Sequence, residues 1–381
     1  MKNDPGRRKR LLLVGAGHAH LFSLARIGHF LRSGIDVTVI SSAPLRYFGT
    51  GPDVLGDADG MKELTVDVRA LVESGGGRFL EGKVASVHPQ EHCVRTESGE
   101  EFFFDALSLN IGSEIPAALL GNSQGRVFAV RSISSLLELR RRILAMPPDA
   151  QPHLAVAGGG PSGCEAAANA YELVKRHGRS LRITLTTGAA GLLPYFPLKA
   201  RQLVAAELLR MKVEVSERRT TLVSGDTLVY SDGSTGDADF LVVATGARPS
   251  KVLTESGLEV DEEGAVIVDE YLQSLSAKGV FGGGDCVAFQ PMELERSAAH
   301  ALRQGPVLFA NLSACLSEGR MRPFIPKKEP LTILNLGKTG VLVRKPFVAG
   351  GRFPLLLKRW IDRRIVREFR SPSAEKGRDA R

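Results

Sequence analysis

Four cysteines in 381 residues, Cys93, Cys164, Cys286 and Cys315, form no C-x-x-C pair. That scatter argues against a thiolate zinc site, and a chain of this length does not need a disulfide scaffold. Runs of about 18 apolar residues are absent, so no transmembrane helix is expected. The basic start, Met1 to Arg10, leads only into Leu11-Leu-Leu-Val14. That run is short of the roughly 7–15 residues in the apolar region of a signal peptide. Wholesale disorder is excluded too, because 43% of the residues are hydrophobic against 24% charged. At roughly 100–200 residues per domain, the length allows two or three domains.

Acidic residues are scarce at one end only. Residues 320–381 hold 17 Lys and Arg against 5 Asp and Glu, while the rest holds 33 against 37. A basic tail on a mildly acidic body suits an anionic partner or a solvated surface. Within it, residues 353, 357, 361, 365 and 369 are apolar at helical spacing, with Leu356 and Trp360 beside them. Lys358, Arg359, Arg363, Arg367 and Arg370 edge that face. Such a helix can lie in the interface of an anionic membrane. It can equally pack on the domain formed by residues 1–115 with 236–322 or on a dimer partner.

What the chain has in abundance is glycine, 41 residues, and the placement is informative. Arg10 to Val14 reads as a buried strand that runs into Gly15-Ala16-Gly17-His18-Ala19-His20. A helix is expected from Leu21 to about Leu31, ended by Gly34, then a strand from Ile35 to Ile40. The unit recurs. Leu154 to Ala157 leads into Gly158-Gly159-Gly160-Pro161-Ser162-Gly163, a helix from Cys164 to about His177, and a strand from Leu181 to Thr186. In such units the first glycine makes the tight turn, the second lets a pyrophosphate approach, and the third allows close helix–strand packing. Phosphate then sits where free N–H groups and the helix dipole favour negative charge. One G-x-G-x-x-G is weak evidence. Two copies, each between a strand and a helix, predict two bound dinucleotides. The first copy has His20 where the third glycine belongs.

The carboxylate that normally grips the ribose at the end of the second strand is missing twice. The first copy offers Ser41-Ser42 and the second Thr186-Thr187, so neither NADH nor NADPH is favoured. Three further strand ends complete the pattern. Phe240 to Val243 runs into Ala244-Thr245-Gly246, Asp105 to Leu109 into Asn110-Ile111-Gly112-Ser113, and Val280-Phe281 into Gly282-Gly283-Gly284-Asp285. Asp285 reads either as a helix N-cap or as a carboxylate on a flavin's ribityl chain.

In this order the elements resemble the pyridine nucleotide-disulfide oxidoreductase superfamily, over roughly residues 9–315. The resemblance implies an α/β fold with two Rossmann-like domains, the NAD(P)H domain inserted into the FAD domain. It implies FAD at Gly15, Gly17, His18, Ala19, His20, Ser41, Val84, Gly112, Ser113, Gly284 and Asp285. It implies NAD(P)H at Gly158, Gly160, Pro161, Ser162, Gly163, Glu165 and Thr187, with Thr245 and Gly246 at a domain crossing completing the cofactor set. The implied division is 1–115 with 236–322 for FAD, 116–235 for NAD(P)H, and a basic segment 323–381.

The branch it looks similar to is that of the type II NADH dehydrogenases, and within it the flavoprotein modules fused to selenide, water dikinases. Gly15 to Leu21, Leu109-Asn110, Ile111 to Ser113, Arg303 to Val307 and Trp360 to Arg364 carry this likeness. Tyr47 to Pro52 agrees only in part with the subgroup's loop. His300 and Leu302 depart from the Ala-Gln-x-Ala-x-Gln quinone motif at Ala299 to Gln304. Residues 41–60 contain no cysteine, so a redox-active disulfide is not expected. Glu165 resembles a glutamate near the flavin–nicotinamide contact. The implied activity is hydride transfer from NAD(P)H to FAD, with electrons passing to a quinone or another small acceptor. No catalytic side chain, metal or nucleic-acid partner is assigned. The expected location is cytoplasmic, with a peripheral place on the inner membrane face and a homodimer as options. The alternative is a slow or non-catalytic flavoprotein that signals to a protein partner.

Overall fold

The computed structural model describes residues 7–42, 51–57, 65–115, 125–224, 227–245, 247–327 and 331–369. Gly246 and most of the Tyr47–Pro52 loop lie outside them.

Two five-stranded sheets form the body. The first runs in the order Val280–Gly282, Ala106–Leu109, Lys9–Val14, Ile35–Ser41, Arg78–Glu81, and every pair in it is parallel. The second runs Glu214–Ser216, Arg182–Thr186, His153–Ala157, Phe240–Val243, Val127–Ala129, again parallel throughout. Parallel strands are covered on both faces, which is why these segments read as near-continuous apolar runs. In both sheets the strand before a glycine-rich turn is central and the strand after its helix is its neighbour.

The helix expected from Leu21 to Leu31 is instead two, Leu21–Leu24 and Ile27–Arg32. A continuous helix would bond the Arg26 amide to the Phe22 carbonyl. The Arg26 amide turns to Ser23 instead, its guanidinium takes the Phe22 carbonyl at 3.3 Å, and it stacks 3.5 Å over the Phe22 ring. The second helix is unbroken, Pro161–Arg176, with Pro161 in its first turn, where no amide hydrogen is needed.

The tail is more structured than its charge suggested. Thr332–Leu336, Thr339–Arg344 and Phe347–Gly351 form an antiparallel sheet, followed by the helix Arg352–Glu368. Leu334, Leu336, Val341, Val343 and Val348 join the apolar core of the second sheet. Val366 and Phe369 join that of the first. The helix Asp53–Gly56 also crosses over, because Val54 and Leu55 are buried in the second core.

Candidate functional site

The two glycine-rich turns lie at the carboxyl ends of the central strands, where open parallel sheets receive ligands. In the first, Gly15 takes φ +85°, which only glycine adopts at low cost. A Cβ on Gly17 would stand 2.4 Å from Asn110 Oδ1. Asn110 explains that closeness: its Oδ1 accepts from the His20 amide and its Nδ2 donates to the Gly283 carbonyl at 2.6 Å. Asn110 therefore clips the first turn to the Gly-Asp strand end. His20 is fully buried, with Nδ1 2.6 Å from the Gly15 carbonyl and Nε2 2.8 Å from Ser108 Oγ. Nδ1 must donate to that carbonyl, so Nε2 accepts from the serine. Burial lowers both His18 and His20 to about 4, which leaves them neutral at pH 7.

Asp285 follows the strand Val280–Gly282, which lies beyond Ala106–Leu109 in the same sheet as the first turn. Arg131 reaches it with Nη1, and Ser113 Oγ lies 3.4 Å from Oδ2. The Gly284 amide donates to Gln304 Oε1 at 2.7 Å. Gly112 takes φ +72°, and a Cβ there would meet open space. Ser41 is buried at the end of its strand, and Val84 begins a strand on the outer hairpin sheet.

In the second turn, Gly158 has φ +129° and a Cβ on Gly163 would sit 1.9 Å from the Gly158 carbonyl oxygen. The third glycine is thus demanded by packing alone. Gly160 is different. Its Cβ would enter open space, and it heads a 16-residue helix with no side-chain cap. An uncapped helix start facing free space suits a pyrophosphate, and Gly112 beside Asp285 offers similar room at the first site. The residues present therefore fit two dinucleotides.

Glu165, in the second helix, is buried and accepts from the Asn335 amide at 2.8 Å. Lys358 Nζ lies close by in a buried cluster, 3.0 Å from Asp53 Oδ2 and 2.7 Å from Asp362 Oδ2. Burial raises the Glu165 carboxyl to about 8. The Asp53 charge adds to the rise and Lys358 opposes it. Lys358 was expected on the edge of an outward face. It points inward because an ammonium paired with two carboxylates tolerates burial. The outward apolar residues are Phe353, Leu356 and Trp360.

The cysteines are free thiols, and Cys93, Cys164 and Cys286 are buried. Burial pushes the Cys286 thiol to about 11 and Cys164 higher still. Asn110, Arg131, Gln304, Asp53 and Lys358 were not named as site residues from sequence. Asn110, Gln304 and Lys358 lay inside segments already singled out, whereas Asp53 and Arg131 left no signal there.

Two dinucleotide turns, each on its own parallel sheet, with a Gly-Asp strand end tied to the first through Asn110, define a two-nucleotide oxidoreductase fold. The family model described as pyridine nucleotide-disulphide oxidoreductase matches residues 9–305, and the chain belongs to this family, whose members use FAD and NAD(P)H. A type II NADH:quinone oxidoreductase of Staphylococcus saprophyticus is 24% identical, over 94% of this chain and 95% of the relative. A nitrite reductase [NAD(P)H] of Emericella nidulans is 26% identical over 75% of this chain. The chain spans about a quarter to a third of the length of the curated nitrite reductases it matches. Among solved structures, the sulfide:quinone oxidoreductase of Aquifex aeolicus superposes with TM-score 0.78 and 16% identity, covering 96% of this chain and 94% of that one.

Proposed function

We propose that this protein is an FAD-dependent NAD(P)H dehydrogenase that passes electrons to a quinone or another small acceptor. The observation that carries this reading is the pairing of two dinucleotide turns, one opening on free space at Gly160 and one tied through Asn110 to the Gly-Asp strand end. Residues 1–115 with most of 236–322 hold FAD and residues 116–235 hold NAD(P)H, joined by the strand Phe240–Val243, which the 236–322 division gave to FAD but which lies in the sheet of the second turn; 323–381 is the basic C-terminal segment. Gly15, Gly17, Gly112, Ser113, Gly284 and Asp285 line the flavin site, while Gly158, Gly160, Pro161, Ser162, Gly163 and Thr187 line the nicotinamide site.

FAD, when bound, supplies the hydride-accepting chemistry. The chain's own residues bind and orient. Gly158 to Gly163 place the pyrophosphate, and Asp285 anchors the ribityl hydroxyls. Neutral His20 stiffens the first turn. The route out of the flavin in this reading uses no dithiol: the cysteines are scattered free thiols, and burial raises Cys286 to about 11, which makes it a poor nucleophile at neutral pH. The match to a relative named for quinone, along nearly all of its length, supports a quinone-type acceptor.

Anaerobic mixing of the purified protein with NADH and NADPH should bleach its flavin band. Re-oxidation against quinones, dyes and nitrite then ranks the acceptors. A yellow protein that neither nucleotide reduces would refute the dehydrogenase.

For location, no helix among the described residues is long and apolar enough to cross a membrane. Phe353, Leu356 and Trp360 are 69%, 62% and 58% exposed and stand among arginines, which suits peripheral binding to an anionic surface. Flotation with anionic vesicles should recover the intact protein with lipid, and the triple change Phe353→Ser, Leu356→Ser, Trp360→Ser should leave it behind. Equal recovery of the two in the lipid-free fraction would end the membrane reading.

A further inference from the structure

Which pyridine nucleotide enters the second site is decided at the corner where the strand Arg182–Thr186 ends. The glycine-rich turn abuts that corner. A Cβ on Gly159 would lie 2.8 Å from Thr187 Cβ. The adenosine ribose of a dinucleotide reaches this strand end, where a carboxylate would select NADH by gripping two hydroxyls and repelling a 2′-phosphate. Here the residue is Thr187. Its hydroxyl has the Gly188 and Ser216 carbonyls at 3.0 and 3.3 Å. It donates to one of them and keeps its lone pairs for an incoming hydroxyl.

The neighbouring strand, Glu214–Ser216, is parallel and ends at the same level. It continues into Glu217-Arg218-Arg219. The Gly188 amide donates to the Arg218 carbonyl at 3.1 Å, pinning this segment beside Thr187. A Cβ on Gly188 would come within 3.6 Å of Arg219 Cβ, so the arginine is rooted against the strand end. Arg218 is partly engaged, 5.4 Å from the Tyr230 ring and 3.9 Å from Asp232. Arg219 is exposed, and no carboxylate among the described residues forms an ion pair with it. Glu214 is turned to Arg182 and Thr184, which leaves exposed Glu217 as the one nearby acid of that segment not so engaged.

We propose that Thr187, Arg218 and Arg219 form a 2′-phosphate subsite, so that the protein takes NADPH in preference to NADH. The inference rests on the reading of the second turn as the nicotinamide site. A guanidinium fork suits a phosphate dianion, and no strand-end carboxylate opposes it.

The test is equilibrium binding to the FAD-loaded protein. Calorimetric titrations with NADP⁺, NAD⁺ and 2′,5′-ADP read the subsite without turnover. Hydrogen bonds to a charged group predict that NADP⁺ binds about tenfold or more tighter than NAD⁺. The ratio should fall toward one in Arg219→Gln, be partly kept in Arg219→Lys, and reverse in Thr187→Asp. Added salt should shrink it. Equal or tighter binding of NAD⁺ by the unaltered protein, or a ratio unmoved by Arg219→Gln, would overturn the phosphate subsite alone. Binding of neither nucleotide would overturn the reading of the second turn, and the proposal with it.

Discussion

The two glycine-rich turns solve one packing problem in two ways. In both, the carbonyl of the first glycine points at the start of the following helix. At the second turn that carbonyl, on Gly158, lies against Gly163, where a Cβ would stand 1.9 Å away. At the first turn the equivalent carbonyl, on Gly15, receives the imidazole of His20 at 2.6 Å. Bare backbone contact needs glycine, whereas a hydrogen-bonded ring needs room. The helix after His20 is short and broken at Arg26, and the helix after Gly163 is continuous. Two residues on, the pair diverges again. Phe22 packs edge-on against Phe309, and Glu165 is a buried carboxyl. The first turn is fastened by side chains from elsewhere in the fold, Ser108 and Asn110. The second is fastened by its own backbone.

The contrast is broken most sharply at Gly163. Gly163→Val must push the helix off its strand, so NADP⁺ and NAD⁺ affinity should drop by at least about a hundredfold, nearly 3 kcal/mol. FAD content, read from the visible spectrum, should persist. Loss of both cofactors together would mean that the turns are not independent. A smaller effect is expected at His20. His20→Leu leaves the part-buried Gly15 carbonyl and the buried Ser108 hydroxyl without their partner, together about 1–3 kcal/mol. Denaturant unfolding should show that loss and weakened FAD retention, with the second turn's nucleotide affinity intact. An unchanged midpoint would make His20 mere filler.

The effect that is smallest at any one step of pH concerns Glu165, which has no counterpart at the first turn. Its carboxyl is pushed by burial from 4.5 to about 8, so the native state keeps a proton that the unfolded chain releases above about 4.5. Stability from this group is therefore full below that pH and is lost as pH rises toward 8. The slope is of the order of 1 kcal/mol per pH unit at most. Glu165→Gln cannot ionise and should flatten the decline between pH 5 and 8. Parallel stability profiles for the two proteins would show that Glu165 does not titrate in that range.

Both turns were readable because their grammar is local: strand, glycines at fixed offsets, helix. His20 was recognisable as the exception, but not its role, because Ser108 lies 88 residues away. The hairpin around Gly337-Lys338 was masked by charge. Thr332 to Leu336 and Thr339 to Val343 are short apolar runs flanking a tight turn, but they sit in a segment whose excess of lysine and arginine suggested a surface. Lys358 shows the limit most plainly. On a helix rich in arginine, Asp362 four residues on is a local partner for Lys358, but it does not mark that cation for burial without Asp53, which is 305 residues distant. The corner between Thr187 and Arg219 was hidden for the same reason. A parallel strand pair joins residues that the chain keeps apart.

The buried Lys358 has a consequence for how the chain can be cut and rejoined. It works as a peg set in a socket whose walls are Asp53 and Asp362. Removing the last helix would take away the counter-charge of Asp53 and of its buried neighbour Glu165, and would strip Leu355, Val366 and Phe369 from the apolar surfaces they cover. The tail is thus not a detachable module, and a protein trimmed before Lys358 would fail by misfolding rather than by losing an attachment point. The peg also sets the roll of the helix about its axis. Which residues it shows to the outside is decided when the chain folds, before any surface is met.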